Sequence, residues 1–211
     1  MRVTGEWAAE TRALPTVRLS YEEFLAWCDE DTWAEWVGGG VTLVSPVSER
    51  HADLAGFLFM VLRHWVEARE LGIVLPAPFQ MRLPEPQQRG REPDILFVSR
   101  AHRGRMRHTY LDGAADLVVE IISPESVGRD RGDKFVEYEQ AGIPEYWLLD
   151  PDRQQAEFYQ IGVDGHYRLA LGGASGLYVS EALAGLRLRV DWLWEDPLPR
   201  VIDILRELEL V

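Results

Sequence analysis

Hydrophobic positions along the chain switch between helical and strand spacing, and the switches outline the elements. Ser20 and Glu23 stand at capping-box spacing ahead of an apolar-periodic run, which predicts a helix over 20–30. Residues 33–37 and 41–45 read as two strands around the turn Gly38-Gly39-Gly40. Ser48 caps a long helix to about residue 71, apolar enough to lie against a sheet. Strands over 79–83 and 92–98 follow, separated by a loop rich in proline, glutamine and glycine. Residues 116–122 form a nearly continuous apolar run of buried central-strand type. A helix over 131–141 is expected next, with Asp130 as its cap and Gly142 at its end. Another buried strand spans 144–149, and 155–160 with 166–171 make a hairpin around Val163-Asp164-Gly165. The tail over 199–210 is an amphipathic helix with Val201, Ile202, Leu205 and Leu208 on one stripe. Residues 1–16 are expected as a flexible arm and 17–211 as a single domain. The order predicts an α/β or α+β fold, a mixed central sheet flanked by helices, with additional antiparallel hairpins.

Composition narrows the class. With 46% hydrophobic and 27% charged residues, the chain can bury a core and is neither disordered, collagen-like nor a disulfide scaffold. Its one cysteine, Cys28, has no partner for an intramolecular bridge and is assigned to packing. Against 35 acidic residues stand 22 basic ones, a net charge of −13. A chain this acidic does not coat nucleic acid over its whole surface, so contact with DNA requires a local basic patch or bound cations. Arg91, Arg100, Arg103 and Arg105, with Arg89, Arg107, His102 and His108, supply such a patch on either side of Asp94 in sequence. The same residues serve equally well as ion-pair partners for the chain's carboxylates. The start has no apolar stretch of signal-peptide length, and the longest apolar-rich run, 52–62, is too short for a membrane helix. The chain is read as cytoplasmic.

Three charged residues sit where a plain core would not place them. Asp94 opens the run Ile95-Leu96-Phe97-Val98, and alternation puts it on the face of Leu96 and Val98. Glu120 lies inside Val118-Val119-Glu120-Ile121-Ile122 and shares a face with Val118 and Ile122. Ionised carboxylates in such surroundings are costly unless paired or bound to a cation. Two carboxylates with water and phosphate oxygen suit Mg²⁺. Lys134, the chain's single lysine among 22 basic residues, lies on a helix stripe with Tyr138 and Ala141, bordering the apolar face. An ammonium is compact and can orient a water in a way a planar guanidinium cannot. Each residue also has a structural reading: Asp94 as a turn cap, Glu120 paired with a buried arginine, Lys134 bridged to Glu137 or Tyr138.

Several segments together resemble a known family. They are Glu92-Pro93-Asp94, the run Asp116-Leu117-Val118-Val119-Glu120-Ile121-Ile122-Ser123-Pro124, Asp130-Arg131-Gly132-Asp133-Lys134-Phe135, Tyr138, and Ala141-Gly142-Ile143-Pro144-Glu145-Tyr146-Trp147. Upstream, Glu35-Trp36-Val37, residues 41–46 and His51 agree. The pattern is similar to the Uma-two family, restriction endonucleases within the PD-(D/E)XK nuclease superfamily. The resemblance implies a restriction-endonuclease-like fold and a metal-dependent phosphodiesterase. It implies that Asp94 and Glu120 hold Mg²⁺, for which Mn²⁺ can substitute, with help from the backbone carbonyl of Ile121. Lys134 would position the attacking water, and Glu35 would be an additional acid near the metal. His51 and Tyr138 are auxiliary candidates. Two departures stand out. Ile122 occupies the place where the superfamily usually has its lysine, so Lys134 must swing in from the next helix. Gly38-Gly39-Gly40 replaces the family's usual Asp-Gly-Glu turn.

The other motifs dissolve on inspection. The run from Gly128 to Lys134 fails P-loop spacing, and the five histidines show no zinc spacing. Two readings therefore compete: a Mg²⁺-dependent DNA endonuclease, and a catalytically silent nuclease-like binding or assembly module. Cutting both strands requires two centres, and the C-terminal stripe offers a surface for a homodimer or, equally, for packing on its own domain.

Overall fold

The computed structural model describes residues 14–28, 34–43, 47–84, 89–123 and 128–211. The expected arm lies almost wholly outside the described residues.

A six-stranded mixed sheet is the spine. Its strands are β3 (Gly72–Pro76), β6 (Ile95–Ser99), β8 (Leu117–Ile121), β9 (Glu145–Asp150), β10 (Gln155–Ile161) and β11 (Tyr167–Gly173), in the order β11-β10-β9-β8-β6-β3. Only β8 and β9 run parallel; the other neighbours are antiparallel. A second, five-stranded sheet is ordered β2-β1-β5-β4-β7. It comprises β1 (Ala34–Val37), β2 (Gly40–Leu43), β4 (Gln80–Leu83), β5 (Arg89–Arg91) and β7 (Tyr110–Asp112). A small hairpin, β12 (Leu177–Val179) and β13 (Arg187–Arg189), completes the strands.

Strand alternation sorts the central sheet into two cores. Ile95, Phe97, Leu117, Val119, Ile121, Trp147 and Leu149 face helix α2 (Glu49–Ala68) and the C-terminal segment. Leu96, Val98, Val118, Ile122, Tyr146 and Leu148 face the other way, towards Met81, Leu83 and Leu111 of the five-stranded sheet. Each fully buried aliphatic side chain here contributes roughly 1.5–3 kcal/mol. Helix α1 (Tyr21–Trp27) covers the outer side of the five-stranded sheet through Tyr21 and Phe24 against Trp36. Its expected capping box is present, with Ser20 Oγ accepting from Glu23 N at 3.1 Å and the Glu23 carboxylate accepting from Ser20 N at 2.7 Å.

The boundaries differ from expectation for local reasons. Helix α2 stops at Ala68, not near 71, because Glu70 turns left-handed (φ 52°), and the chain enters β3, which the pattern did not predict. The helix over 131–141 begins earlier. Wide π-type turns over Arg129–Lys134 run into α3 (Phe135–Gln140), so Asp130 lies within the helix and is not its cap. Gly142 does end it, at φ 73°. Residues 100–105 form a short 3-10 segment, and β5, β7, β12 and β13 are additional. The last helix, α4 (Val201–Glu207), turns Ile204 and Leu208 into the core shared with α2. Of the predicted stripe, Leu205 and Leu208 are buried and Val201 packs against that core. No helix among the described residues is long and apolar enough to cross a membrane.

Candidate active site

The register of two sheets gathers the acids. In the antiparallel pair of β6 and β8, Ile95 stands opposite Val119; one step further sets Asp94 opposite Glu120. Asp94 Oδ2 accepts from the Ile121 amide at 2.7 Å. In the other sheet Trp36 stands opposite Gly90, so the next step sets Glu35 against Arg91, whose guanidinium lies 3.0 Å from Glu35 Oε2. Glu35 and Arg91 point inward because their neighbour Trp36 is committed to the outer core with Tyr21 and Phe24.

The helices supply the remaining groups. His51 stands three residues before Leu54 and seven before Leu58, on the buried stripe of α2, which aims it at the sheet. Its Nε2 is 2.9 Å from Asp94 Oδ1, and its Nδ1 has no hydrogen-bond partner among the described residues. On the opposite face of the sheet, Lys134 and Tyr138 both reach Glu120. Lys134 Nζ donates to Oε2 at 2.9 Å and the Tyr138 hydroxyl donates to Oε1 at 2.7 Å. Lys134 is also 3.1 Å from Asp130 Oδ1 and 3.5 Å from Glu35 Oε1. Arg91 makes a two-pronged contact with Glu137 of α3, tying the five-stranded sheet to the helix that carries Lys134.

These groups lie almost out of water: Glu35 and Glu120 are each 3% exposed, Lys134 5% and Asp130 1%. Burial, followed by nearby carboxylates, pushes Glu120 up to about 8, although Lys134 pulls it down. Burial and then the Glu35 charge push Glu92 up to about 7. Burial lowers the affinity of Lys134 for its proton, but Glu120, Glu35 and Asp130 more than reverse this and hold it firmly charged. The asymmetry has one cause. A single ammonium faces three carboxylates, so the cation is well served while the acids share it and repel one another. Around the site stand Glu35, Glu92, Asp94, Glu120, Asp130 and Glu137, against the permanent cations Lys134 and Arg91.

That donor set fits a hard divalent cation: all oxygen, negative in excess, with buried acids driven to take up protons when no metal balances them. Among the described residues no three histidine, cysteine or carboxylate side chains form a ready-made metal cage. Mg²⁺, which keeps several waters, asks for fewer.

Tyr138→Phe tests the grip on Glu120. With Glu120 ionised, at pH 9, it is expected to lose about 1.5–3 kcal/mol of stability, read by urea unfolding, because a charge-assisted hydrogen bond goes while the ring stays.

The structure brings together Glu35, His51, Asp94, Glu120, Ile121, Lys134 and Tyr138. The basic cluster does not gather at the acids. Arg91 is 2% exposed and locked between Glu35 and Glu137, so it is an internal counter-ion and not an exposed phosphate contact. Arg100, Arg103 and Arg105 follow β6 at its far end, with Arg100 roughly 20 Å from Asp94 at strand rise. There Arg100 pairs with Glu70 at 3.3 Å and Arg105 donates to the Ala114 carbonyl at 2.8 Å. Two site residues were not singled out from sequence. Glu92 was visible only as part of the Glu92-Pro93-Asp94 motif. Asp130 was read as a cap, although Asp130, Lys134 and Tyr138 recur at every fourth position, which would have revealed it.

The sequence model of the Uma2 family, described as "Putative restriction endonuclease", matches residues 21–191. No curated protein matches the chain. Among solved structures the chain is similar to "a putative nuclease belonging to DUF820" from Anabaena variabilis. The TM-score is 0.70 at 17% identity, covering 83% of this chain and 97% of that one. At that identity the likeness establishes a shared fold.

Proposed function

The chain belongs to the Uma2 family of restriction-endonuclease type, and on that premise we propose that it is a Mg²⁺-dependent DNA endonuclease hydrolysing phosphodiester bonds. The observation that carries this reading is the meeting of Lys134 with Glu120 at 2.9 Å, from separate elements, in the register step that sets Asp94 opposite Glu120. In this reading Asp94 and Glu120 hold the cation, with the Ile121 carbonyl assisting and Glu35 as an additional acid. A divalent cation bound there supplies Lewis acidity towards a phosphoryl oxygen and makes water a better nucleophile.

The chain's own residues do the rest. His51 and the Ile121 amide fix the plane of the Asp94 carboxylate. Tyr138 fixes that of Glu120. Lys134 orients water by donating to it and stabilises the negative charge that builds on phosphate oxygens. Arg91 holds Glu35 in place and keeps α3 against the five-stranded sheet. DNA is the proposed partner. Two copies would serve its two strands, in a cytoplasmic setting.

The test is incubation of the full chain with varied DNA and RNA in Mg²⁺ or Mn²⁺, beside Asp94→Asn and Glu120→Gln. Nicking or cleavage of DNA by the parent chain alone supports the reading. Intact DNA throughout, or cleavage that persists in both variants, overturns it. One observation favours a second reading, a silent nuclease-like module: both oxygens of Asp94 and both of Glu120 already accept hydrogen bonds. A calorimetric titration that finds no Mg²⁺ or Mn²⁺ binding would select it.

A further inference from the structure

Asp130 poses a question that the proposed chemistry does not answer. It is 1% exposed, and a carboxyl group kept out of water is costly unless it is paired. Its Oδ1 accepts no hydrogen bond among the described residues and instead lies 3.1 Å from Lys134 Nζ. It also sits on a stretch of helix with wide π-type turns.

The geometry of that stretch explains the pairing. In an α-helix, residues four apart are rotated by about 40° from one another. That offset is small enough for residues four apart to meet, and Asp130 Oδ1 lies within ion-pair distance of the same ammonium that donates to Glu120. The Tyr146 hydroxyl, from β9, donates to the Asp130 carbonyl at 3.0 Å and pins the widened turn to the central sheet.

We propose that Asp130 is a positioning residue: buried and pinned by Tyr146, it holds the Lys134 ammonium against Glu120, without itself touching cation or substrate. The proposal rests on the reading of Lys134 as the water-orienting group. It explains how a lysine displaced from the strand position at Ile122 is brought back to the acids. The lysine arrives with a carboxylate of its own to limit its swing.

The solitary lysine makes the test direct. Protein labelled with ¹⁵Nζ-lysine gives one side-chain ammonium signal, whose hydrogen exchange reports how tightly Nζ is held. Asp130→Asn is expected to speed that exchange about tenfold or more, while Asp130→Glu, which keeps the charge, retains slow exchange. In the same samples kcat falls about tenfold to a hundredfold in Asp130→Asn, with KM little changed. Mg²⁺ affinity by calorimetry stays within about twofold, since the carboxylate is not a ligand. Exchange equally slow in Asp130→Asn overturns the proposal. So does a loss of Mg²⁺ affinity as large as that of Glu120→Gln, which would make Asp130 a ligand. If Asp130→Asn does not fold, faster exchange in Asp130→Glu overturns it, and retained slow exchange supports it. The exchange readout needs no cleavage, so a failure of the nuclease reading would show separately, as inactivity with exchange behaving as expected.

Discussion

Lys134→Met is expected to lower DNA cleavage by about a thousandfold and to destabilise the metal-free protein by about 3–5 kcal/mol near neutral pH. Methionine keeps most of the buried stem, so the loss is that of charge and not of packing. Removing the ammonium leaves Glu120, Asp130 and Glu35 facing one another across the space it filled, all nearly out of water. Glu35 retains Arg91 and Glu120 retains Tyr138, but Asp130 loses the cation that faces it. Lys134→Arg is not expected to rescue, because a planar fork is too large for a gap spanned by contacts of 2.9–3.5 Å. Urea unfolding and plasmid cleavage measure the two effects. A Lys134→Met protein as stable as its parent would show that the ammonium does not neutralise the cluster.

The lysine's position was partly legible in sequence. Helical spacing placed Lys134 and Tyr138 on one stripe bordering the apolar face, and strand alternation placed Glu120 with Val118 and Ile122. The structure has all of them on one side of the central sheet. Asp94 beside Glu120 needed the pairing of β6 with β8, and pairing is a long-range fact that no local pattern contains. Asp130 was misread because an aspartate before a helical run ordinarily caps it, and the sequence carries no sign that the first turns are widened.

The same limit explains the missed strands. β5, β7, β12 and β13 have three residues each, too few for alternation to stand out, and they exist because neighbours offer hydrogen bonds. β3 was hidden by the helix before it, whose apolar run continues through Leu71 into Ile73 and Val74. The distance of Arg100, Arg103 and Arg105 from Asp94 has a simpler reason. Nearness in sequence was taken for nearness in space, while β6 carries Arg100 away from Asp94 along its length.

The shortage of positive charge predicts how stability responds to pH and Mg²⁺. Glu120 has a folded value of about 8 against an ordinary 4.5. Between those limits the folded state holds more proton than the unfolded one, so the slope of unfolding free energy with pH is negative. This contribution is fully present below about 4.5 and is lost as pH rises towards 8. Glu92 acts in the same sense between 4.5 and about 7. Glu120→Gln cannot take up that proton, so the difference in stability between variant and parent should shift in the variant's favour as pH climbs from 5 to 8.5 in EDTA. Mg²⁺ acts in the opposite direction. It competes with the same protons, and its binding stabilises the folded state by mass action. The rise in Tm on adding Mg²⁺ should therefore be larger at pH 8.5 than at pH 6. In Glu120→Gln the rise should nearly vanish, with Mg²⁺ affinity down by about a hundredfold or more. Scanning calorimetry at the two pH values, with and without Mg²⁺, decides the matter. An equal rise at both, unchanged in the variant, would place the cation away from Glu120.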